Sequence, residues 1–115
     1  MPADLFQLVR AESANVIELM LPDALDTVEF DRLNDSVLHE VDGKTGERWI
    51  LDLSAVTYAG SAVLGLMVNV RQRVKQGGGR LVLCGLSPRL VEIFKACCME
   101  RLFTISRTRA DALRV

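Results

Sequence analysis

The chain has 115 residues, half of them hydrophobic and a quarter charged, which predicts a single globular domain, residues 1–115, with a real core. Its formal net charge of −1 gives no electrostatic signal for nucleic acid or for an anionic membrane, so we expect neither as a partner. No apolar run approaches the roughly 18 residues of a membrane span, and acidic residues occur early. We therefore expect a cytoplasmic protein with no signal peptide and no direct membrane insertion.

The first two elements are predicted to be strands that form a hairpin. Residues 5–11 and 16–21 are rich in apolar side chains, and a short polar turn at residues 12–15 separates them. So tight a connection favours antiparallel pairing. Pro22 ends the second strand, and we expect a loop over residues 23–26.

A helix is predicted to begin at Asp26. Asp26 and Glu29 have the spacing of a capping box, in which each side chain accepts a hydrogen bond from the other residue's backbone. The apolar residues that follow repeat at helical spacing: Phe30, Leu33, Val37, Leu38 and Val41. Residues 42–46 are a predicted turn that leads back to the sheet.

The centre of the chain is predicted to be a strand, a helix and a second strand. Residues 48–53 and 81–84 are apolar and favour strands. Between them, one side of a helix is apolar: Val63, Leu66, Met67, Val70 and Val74. The other side is polar: Asn69, Arg71, Arg73 and Lys75. Three glycines at 77–79 end the helix, and the unit predicts parallel strands with a right-handed crossover.

The last part of the chain is predicted to add a helix, an edge strand and one or two helical turns. Ser87 and Pro88 have the pattern of an N-cap followed by the first helical residue. The apolar face of that helix is predicted to contain Leu90, Val91, Phe94, Cys97 and Cys98. An edge strand at 103–105 and helical turns at 109–114 follow. The predicted fold class is α/β, a mixed sheet of about five strands with helices mainly on one face.

The sequence lacks the usual catalytic patterns, so we expect no enzyme and no cofactor. Ser61 is not in a G-x-S-x-G motif, and the glycines at 77–79 end a helix instead of opening one. His39, the only histidine, is expected on the surface, and Asp52 has no second acid or base beside it. The three cysteines have no metal-site spacing, so we expect reduced and mostly buried thiols and no metal.

One loop, residues 57–62, is a candidate functional site. It lies at the carboxyl end of a central strand and at the start of a helix, where open α/β sheets place their sites. A phosphate on a hydroxyl there would meet free backbone N–H groups and the positive end of the helix dipole. The alternative is that Ser61 is simply the N-cap of the helix.

Residues 52–103 resemble the STAS domain of bacterial anti-sigma factor antagonists. The matching positions are Asp52-Leu53-Ser54, Val56, Tyr58, Ser61, Leu64-Gly65, Gly78-Gly79, Leu81-Val82-Leu83, Ser87-Pro88 and Leu102-Phe103. The first 46 residues agree only in the order of their elements. The resemblance implies a STAS-like sheet and a protein-interaction switch. Such antagonists bind an anti-sigma factor that is a serine-protein kinase, and phosphorylation at the start of the helix breaks the complex.

The sequence departs from the family pattern at the phosphorylation site. In the ungapped register, Gly60 occupies the position of the family's aspartate, and Ala62, which has no hydroxyl, occupies that of the phosphoacceptor. Either Ser61 is the phosphorylated residue, or the domain binds its partner without a phosphate switch. We favour the second interpretation because a shift of one helical residue rotates a side chain by about 100°.

The resemblance places the partner-binding loop at Tyr58, Ala59, Gly60, Ser61 and Ala62. Asn69 and Arg73, on the polar side of the following helix, are weaker candidates. Two other functions remain open: a STAS subunit of a lipid-transport complex, and a sensor of a small ligand. A hydrolase that uses Ser61 lacks a base. An exposed sheet edge would allow weak self-association, but the sequence indicates no oligomeric state.

Overall fold

The computed structural model describes residues 5–22 and 24–115. Its strands are β1 (Phe6–Ala11), β2 (Ala14–Leu19), β3 (Arg48–Asp52), β4 (Arg80–Cys84) and β5 (Thr104–Ser106). Its helices are α1 (Thr27–Asp42), α2 (Ser61–Gln76), α3 (Pro88–Ala96) and α4 (Arg109–Ala112), and a 3₁₀ turn (Met99–Arg101) follows α3. Each predicted strand and helix is present, and their order is confirmed.

The strands form one mixed sheet in the order β1-β2-β3-β4-β5. β1 is antiparallel to β2, whereas the other three pairs are parallel. The predicted hairpin and the predicted parallel pairing of β3 with β4 are therefore confirmed. Because β2, β3 and β4 run in the same direction, their carboxyl ends meet at one end of the sheet, where the candidate loop follows β3.

The two faces of the sheet are covered differently. Ile17, Leu51 and Leu83 are in register on three neighbouring strands and face the large core beneath α1, α2 and α3. The residues that precede them point to the opposite face, where a small apolar cluster includes Ala112 of α4. This arrangement confirms that the helices lie mainly on one face.

Local capping explains where two of the helices begin. The Asp26 side chain accepts a hydrogen bond from the Glu29 backbone N–H (2.7 Å), and the Glu29 side chain accepts one from the Asp26 N–H (3.3 Å). At α3 the Ser87 Oγ accepts a hydrogen bond from the Leu90 N–H (3.1 Å), and Pro88 is the first helical residue. Both predicted caps are confirmed.

Several predicted boundaries are shifted by one or two residues. β2 begins at Ala14 instead of residue 16, because Glu12, with a φ of 54°, closes a turn that is shorter than expected. β5 begins at Thr104, one residue later than predicted, because its pairing with β4 starts at Thr104 opposite Val82. Phe103 precedes the ladder and is buried in the core next to Phe94.

The predicted burial of the cysteines is wrong at two of three positions. Cys84 is buried on β4, but Cys97 and Cys98 are both exposed. The helix ends at Ala96, and Cys98 has a positive φ of 56°, so neither thiol continues the apolar face of α3. Phe103 and Met99 contribute to the core there instead.

Candidate partner-binding site

A tight turn after β3 positions the candidate loop. The Asp52 carboxylate accepts hydrogen bonds from the Ser54 N–H (2.9 Å) and from the Ser54 Oγ–H (2.6 Å). The Val56 N–H then donates to the Leu53 carbonyl (2.9 Å), and the Val56 side chain is buried. These contacts fix the chain where it leaves the sheet, so that residues 57–62 emerge at the carboxyl end of β3.

A glycine at the end of β4 makes room for this turn. Gly85 has a φ of +75°, a conformation that L side chains rarely adopt. A Cβ at this position would collide with Ser54 Oγ and would lie 3.0 Å from Asp52 Oδ1. The close approach of the two strand ends therefore requires glycine at position 85.

The residues of the predicted partner-binding loop differ in exposure. Tyr58 is 42% exposed, and the Arg89 guanidinium lies 5.0 Å from the centre of its ring, within cation–π range. Ser61 and Ala62 are exposed and Gly60 is half-buried. Ala59 is only 3% exposed. Its side chain packs into the core, so Ala59 contributes only backbone to a partner surface.

Helix α2 does not begin as expected if Ser61 were its N-cap. The N-cap is Gly60, and Ser61 is the first helical residue, so that expectation is wrong by one position. No side chain caps the first turn, and that turn contains no acidic residue. Within α2, neither a capping side chain nor an acidic residue of the first turn compensates the positive end of the helix dipole, which lies beside the exposed Ser61 and Ala62.

The loop forms one wall of an open groove of about 340 Å³. Tyr58, Ala62 and Val63 lie on this wall. Leu25, Thr27 and Phe30, at the start of α1, lie on the other. The sequence prediction missed the second wall. It could have been found from the parallel pairing of β2 with β3, because the segments that follow neighbouring parallel strands meet at the same end of a sheet.

Exposed apolar side chains surround this end of the sheet. Met20 follows β2 and is 37% exposed, Val28 lies in the first turn of α1 and is 60% exposed, and Tyr58 follows β3. Large exposed apolar groups that share one end of a small domain are typical of a surface that contacts another protein. Asn69 and Arg73, the weaker candidates, are exposed along α2, and Arg73 is paired with Asp42 (2.6 Å).

Behind the loop, an ionic cluster joins α4 to the sheet. Arg109 of α4 donates to Asp52 Oδ2 from Nη2 (2.7 Å) and from Nε (3.1 Å), and Nη2 also contacts the Glu18 carboxylate. Burial raises the pKa of Asp52, but the hydrogen bonds from Ser54 and Arg109 outweigh it and hold that pKa below its usual value. Asp52 could be recognised in the sequence as a candidate acid, but its partner, Arg109, could not.

The structure also places two other groups that the sequence brings into question, Cys84 and His39. Burial and the neighbouring Asp52 carboxylate raise the pKa of the Cys84 thiol to about 12, so it stays protonated at neutral pH. His39 is exposed on α1, as predicted. Among residues 5–22 and 24–115, no cluster of three or more His, Cys, Asp or Glu side chains could hold a metal ion. No helix in the same part of the chain is long and apolar enough to cross a membrane.

The fold is a small α/β domain. Its mixed sheet has the longer helices on one face, and an exposed loop leads into the central helix, α2. The chain belongs to the STAS domain family, whose model matches residues 7–112. It is 29% identical over 92 residues to BtrV of Bordetella bronchiseptica, a candidate anti-sigma factor antagonist, with 80% of this chain and 78% of BtrV covered.

Solved structures share this fold. An anti-sigma factor antagonist (STAS) domain protein of Planctomyces limnophilus matches with a TM-score of 0.81 at 23% identity over 94% of both chains. Unphosphorylated SpoIIAA, an anti-sigma factor antagonist, matches with a TM-score of 0.73 at 18% identity over 94% of this chain and 92% of its own. The phosphorylated form of Bacillus SpoIIAA has the same fold, with a TM-score of 0.67 at 19% identity, covering 95% of this chain and 96% of its own. The protein is thus an anti-sigma factor antagonist-like STAS domain, which confirms the predicted family and fold class.

Proposed function

We propose that this protein is a non-catalytic regulatory module of the cytoplasm that binds an anti-sigma factor of the serine-kinase type. In this proposal, the partner contacts the loop of Tyr58, Gly60, Ser61 and Ala62 and the apolar groove beside it. Binding is not switched off by phosphorylation. The similarity to anti-sigma factor antagonists supports the choice of partner, and the exposed apolar groups around the loop support the choice of surface.

Ala62 is the observation that carries this proposal. It is exposed as the second residue of α2, at the position where the family resemblance puts the phosphoacceptor. A methyl group cannot accept phosphate, yet it allows a partner to approach the helix closely. A kinase-type partner would therefore stay in complex with this protein in the presence of ATP, because no phosphate can be transferred to residue 62.

A second candidate function, a switched antagonist, rests on Ser61. Its side chain is exposed as the first residue of α2, whose own first turn has no acidic residue and no side-chain cap. A phosphate on Ser61 would be stabilised by the free N–H groups of the first turn, and its charge of about −2 would disrupt a packed interface.

Two matched substitutions, in which glutamate replaces an exposed alanine, test whether the partner binds at this loop. Ala62 is the second residue of α2, whereas Ala96 is the last residue of α3, and both are exposed. Ala62→Glu adds a negative charge that helix geometry tolerates at this end, so we expect at least roughly a tenfold weaker complex with the fold intact. Ala96→Glu should bind like the wild type. Calorimetric titration of a kinase partner captured from the native cytoplasm makes the measurement. Equal affinity of Ala62→Glu and wild type would remove the loop from the interface.

The outcome with ATP separates the two candidate functions. After incubation with the partner and ATP, we expect the intact mass of the wild type to be unchanged. Phosphate on Ser61 that is absent from Ser61→Ala would instead identify a switched antagonist. Copurification with a transporter ATPase and with no kinase would favour the lipid-transport subunit, and a rise in melting temperature with a small molecule would favour the sensor.

A further inference from the structure

The outer edge of β1 carries few of the usual features that prevent strand pairing. β1 is an edge strand of 6 residues, whereas β5, at the other edge, has only 3. Edge strands are commonly protected by proline, by a bulge or by several charges. β1 contains no proline and one charged residue, Arg10, and its register with β2 runs without a bulge from Phe6 to Ala11.

The hydrogen-bonding groups on this outer edge can be assigned from the pairing with β2. The Met20 N–H donates to the Leu5 carbonyl (2.7 Å), which makes these two residues a hydrogen-bonded pair. Hydrogen-bonded and non-hydrogen-bonded pairs alternate along an antiparallel ladder. Phe6, Leu8 and Arg10 therefore direct their N–H and C=O groups away from β2. No segment within residues 5–22 and 24–115 pairs with them.

The side chains of the same three residues suit a contact with an identical strand. Phe6 and Leu8 are half-buried and pack against the main core, so the apolar surface continues to the edge of the sheet. The one charge of the strand is already compensated, because Arg10 Nη1 lies 2.7 Å from the Glu47 carboxylate and 2.9 Å from Asn15 Oδ1.

We propose that β1 pairs antiparallel with β1 of a second copy of this chain and joins the two sheets into one. Leu8 faces Leu8 of the other copy, and Phe6 faces Arg10. This register alone places all three outward residues opposite each other and on matching faces of the sheet. A shift by two residues in either direction leaves Phe6 or Arg10 opposite a residue outside the strand. A shift by four toward the hairpin brings two like charges together at Arg10, which is unfavourable.

The dimer would carry two partner-binding loops. β2 lies between β1 and β3 in the sheet, so the loop that follows β3 stays away from the paired edge. Self-association is therefore compatible with the proposed binding function but does not depend on it.

Charge substitutions at Leu8 test the proposed register. We expect sedimentation velocity to show a concentration-dependent dimer for the wild type, and monomers for Leu8→Lys and for Leu8→Glu, because each places like charges opposite each other. An equimolar mixture of the two variants should restore the dimer. The control Ile105→Lys, on the other edge, should dimerise like the wild type. A monomeric wild type at millimolar concentration would contradict the proposal, as would dimers of both Leu8 variants.

Amide exchange provides a second test that needs no variant. Between micromolar and millimolar wild-type protein, exchange at the N–H groups of Phe6, Leu8 and Arg10 should slow by roughly tenfold or more, whereas Gln7 and Val9 should be protected throughout. Unchanged exchange at the three outward positions would overturn the proposal even if a dimer forms, because another surface would then be responsible.

Discussion

On one face of the sheet, three helices bury a continuous apolar core. On the other face, the short helix α4, of 4 residues, is held to the sheet largely by hydrogen bonds from two arginine side chains. Arg109 reaches from α4 to Asp52 and Glu18 at the carboxyl ends of the strands. Arg48 reaches from β3 to the Leu113 carbonyl (2.7 Å) and the Val115 carbonyl (3.0 Å). The stability of the fold therefore resides mainly on the first face.

Asp52 links the two faces, because its two carboxylate oxygens have different partners. One carboxylate oxygen of Asp52 accepts hydrogen bonds from Ser54 and so holds the turn that leads to the proposed partner-binding loop. The other accepts hydrogen bonds from Arg109 and so holds α4. The side of the sheet without large helices thus contributes to the placement of the proposed partner-binding loop. Four measurements test the contrast between the two faces.

The largest loss of stability is expected from Phe94→Ala, on the helix-covered face. Phe94 is 1% exposed and lies 6.0 Å from the Phe103 ring, so its removal leaves a cavity in the main core. We expect the free energy of unfolding to fall by about 3–5 kcal/mol in a denaturant titration. The control Ile105→Ala, at an exposed position, should change it by less than about 0.5 kcal/mol. If Phe94→Ala lowered the free energy of unfolding by less than Arg109→Ala does, the helix-covered face would not be the main source of stability.

Arg109→Ala should cost less, about 1–3 kcal/mol, because it leaves the mostly buried Asp52 carboxylate without its cation. The loss should be accompanied by faster amide exchange in α4 and unchanged exchange in α2. Arg107→Ala, a neighbouring exposed arginine, is the matched control and should be near neutral. If Arg109→Ala were also neutral, the ionic contacts would not be what holds α4.

Acid should weaken the contact between Asp52 and Arg109, which holds α4. The pKa of Asp52 is lower in the folded protein than its usual value of about 4, so the ionised carboxylate stabilises the fold above that pH, and this stabilisation is lost as the pH falls through the folded pKa. We expect the unfolding free energy of Asp52→Asn to fall less steeply below about pH 4 than that of the wild type. Glu47, whose pKa is lowered by Asn15 and Arg10, titrates in both proteins. Equal slopes would show that Asp52 makes no such contribution.

The smallest effect is expected from Arg48→Ala, about 0.5–1 kcal/mol, because its carbonyl partners near the end of the chain are partly open to water. Amide exchange at Leu113 and Val115 should report the change more clearly than global unfolding. A loss as large as that of Phe94→Ala would show that the two faces are equally important.

The first face is more predictable from the sequence than the second, for a physical reason. The helices and strands around the main core follow apolar repeats within a single element, such as Leu66, Met67 and Val70 of α2, and such repeats are visible in the sequence. Arg109 and its carboxylates are separated by 57 and 91 residues. Nothing local indicates which charged residues will meet once the sheet has formed.

Only the features of the candidate site that depend on local sequence could be predicted. The loop at the end of β3 was found because the strand–helix order fixes its place. The start of α2 was misplaced by one residue because Gly60 and Ser61 are both acceptable N-caps. The second wall of the groove, at Leu25 and Phe30, required the pairing of β2 with β3, which no short sequence window contains.

The central claim is that Ala62 makes this module a binder without a phosphate switch, and Ala62→Ser tests it most directly. The wild type and the variant are each incubated with the captured kinase partner and ATP, and the phosphate and the complex are followed by mass spectrometry and gel filtration. We predict that the wild type stays unmodified and bound, whereas Ala62→Ser is phosphorylated at residue 62 and dissociates. Phosphate on Ser61 of the wild type, with loss of the complex, would contradict the claim.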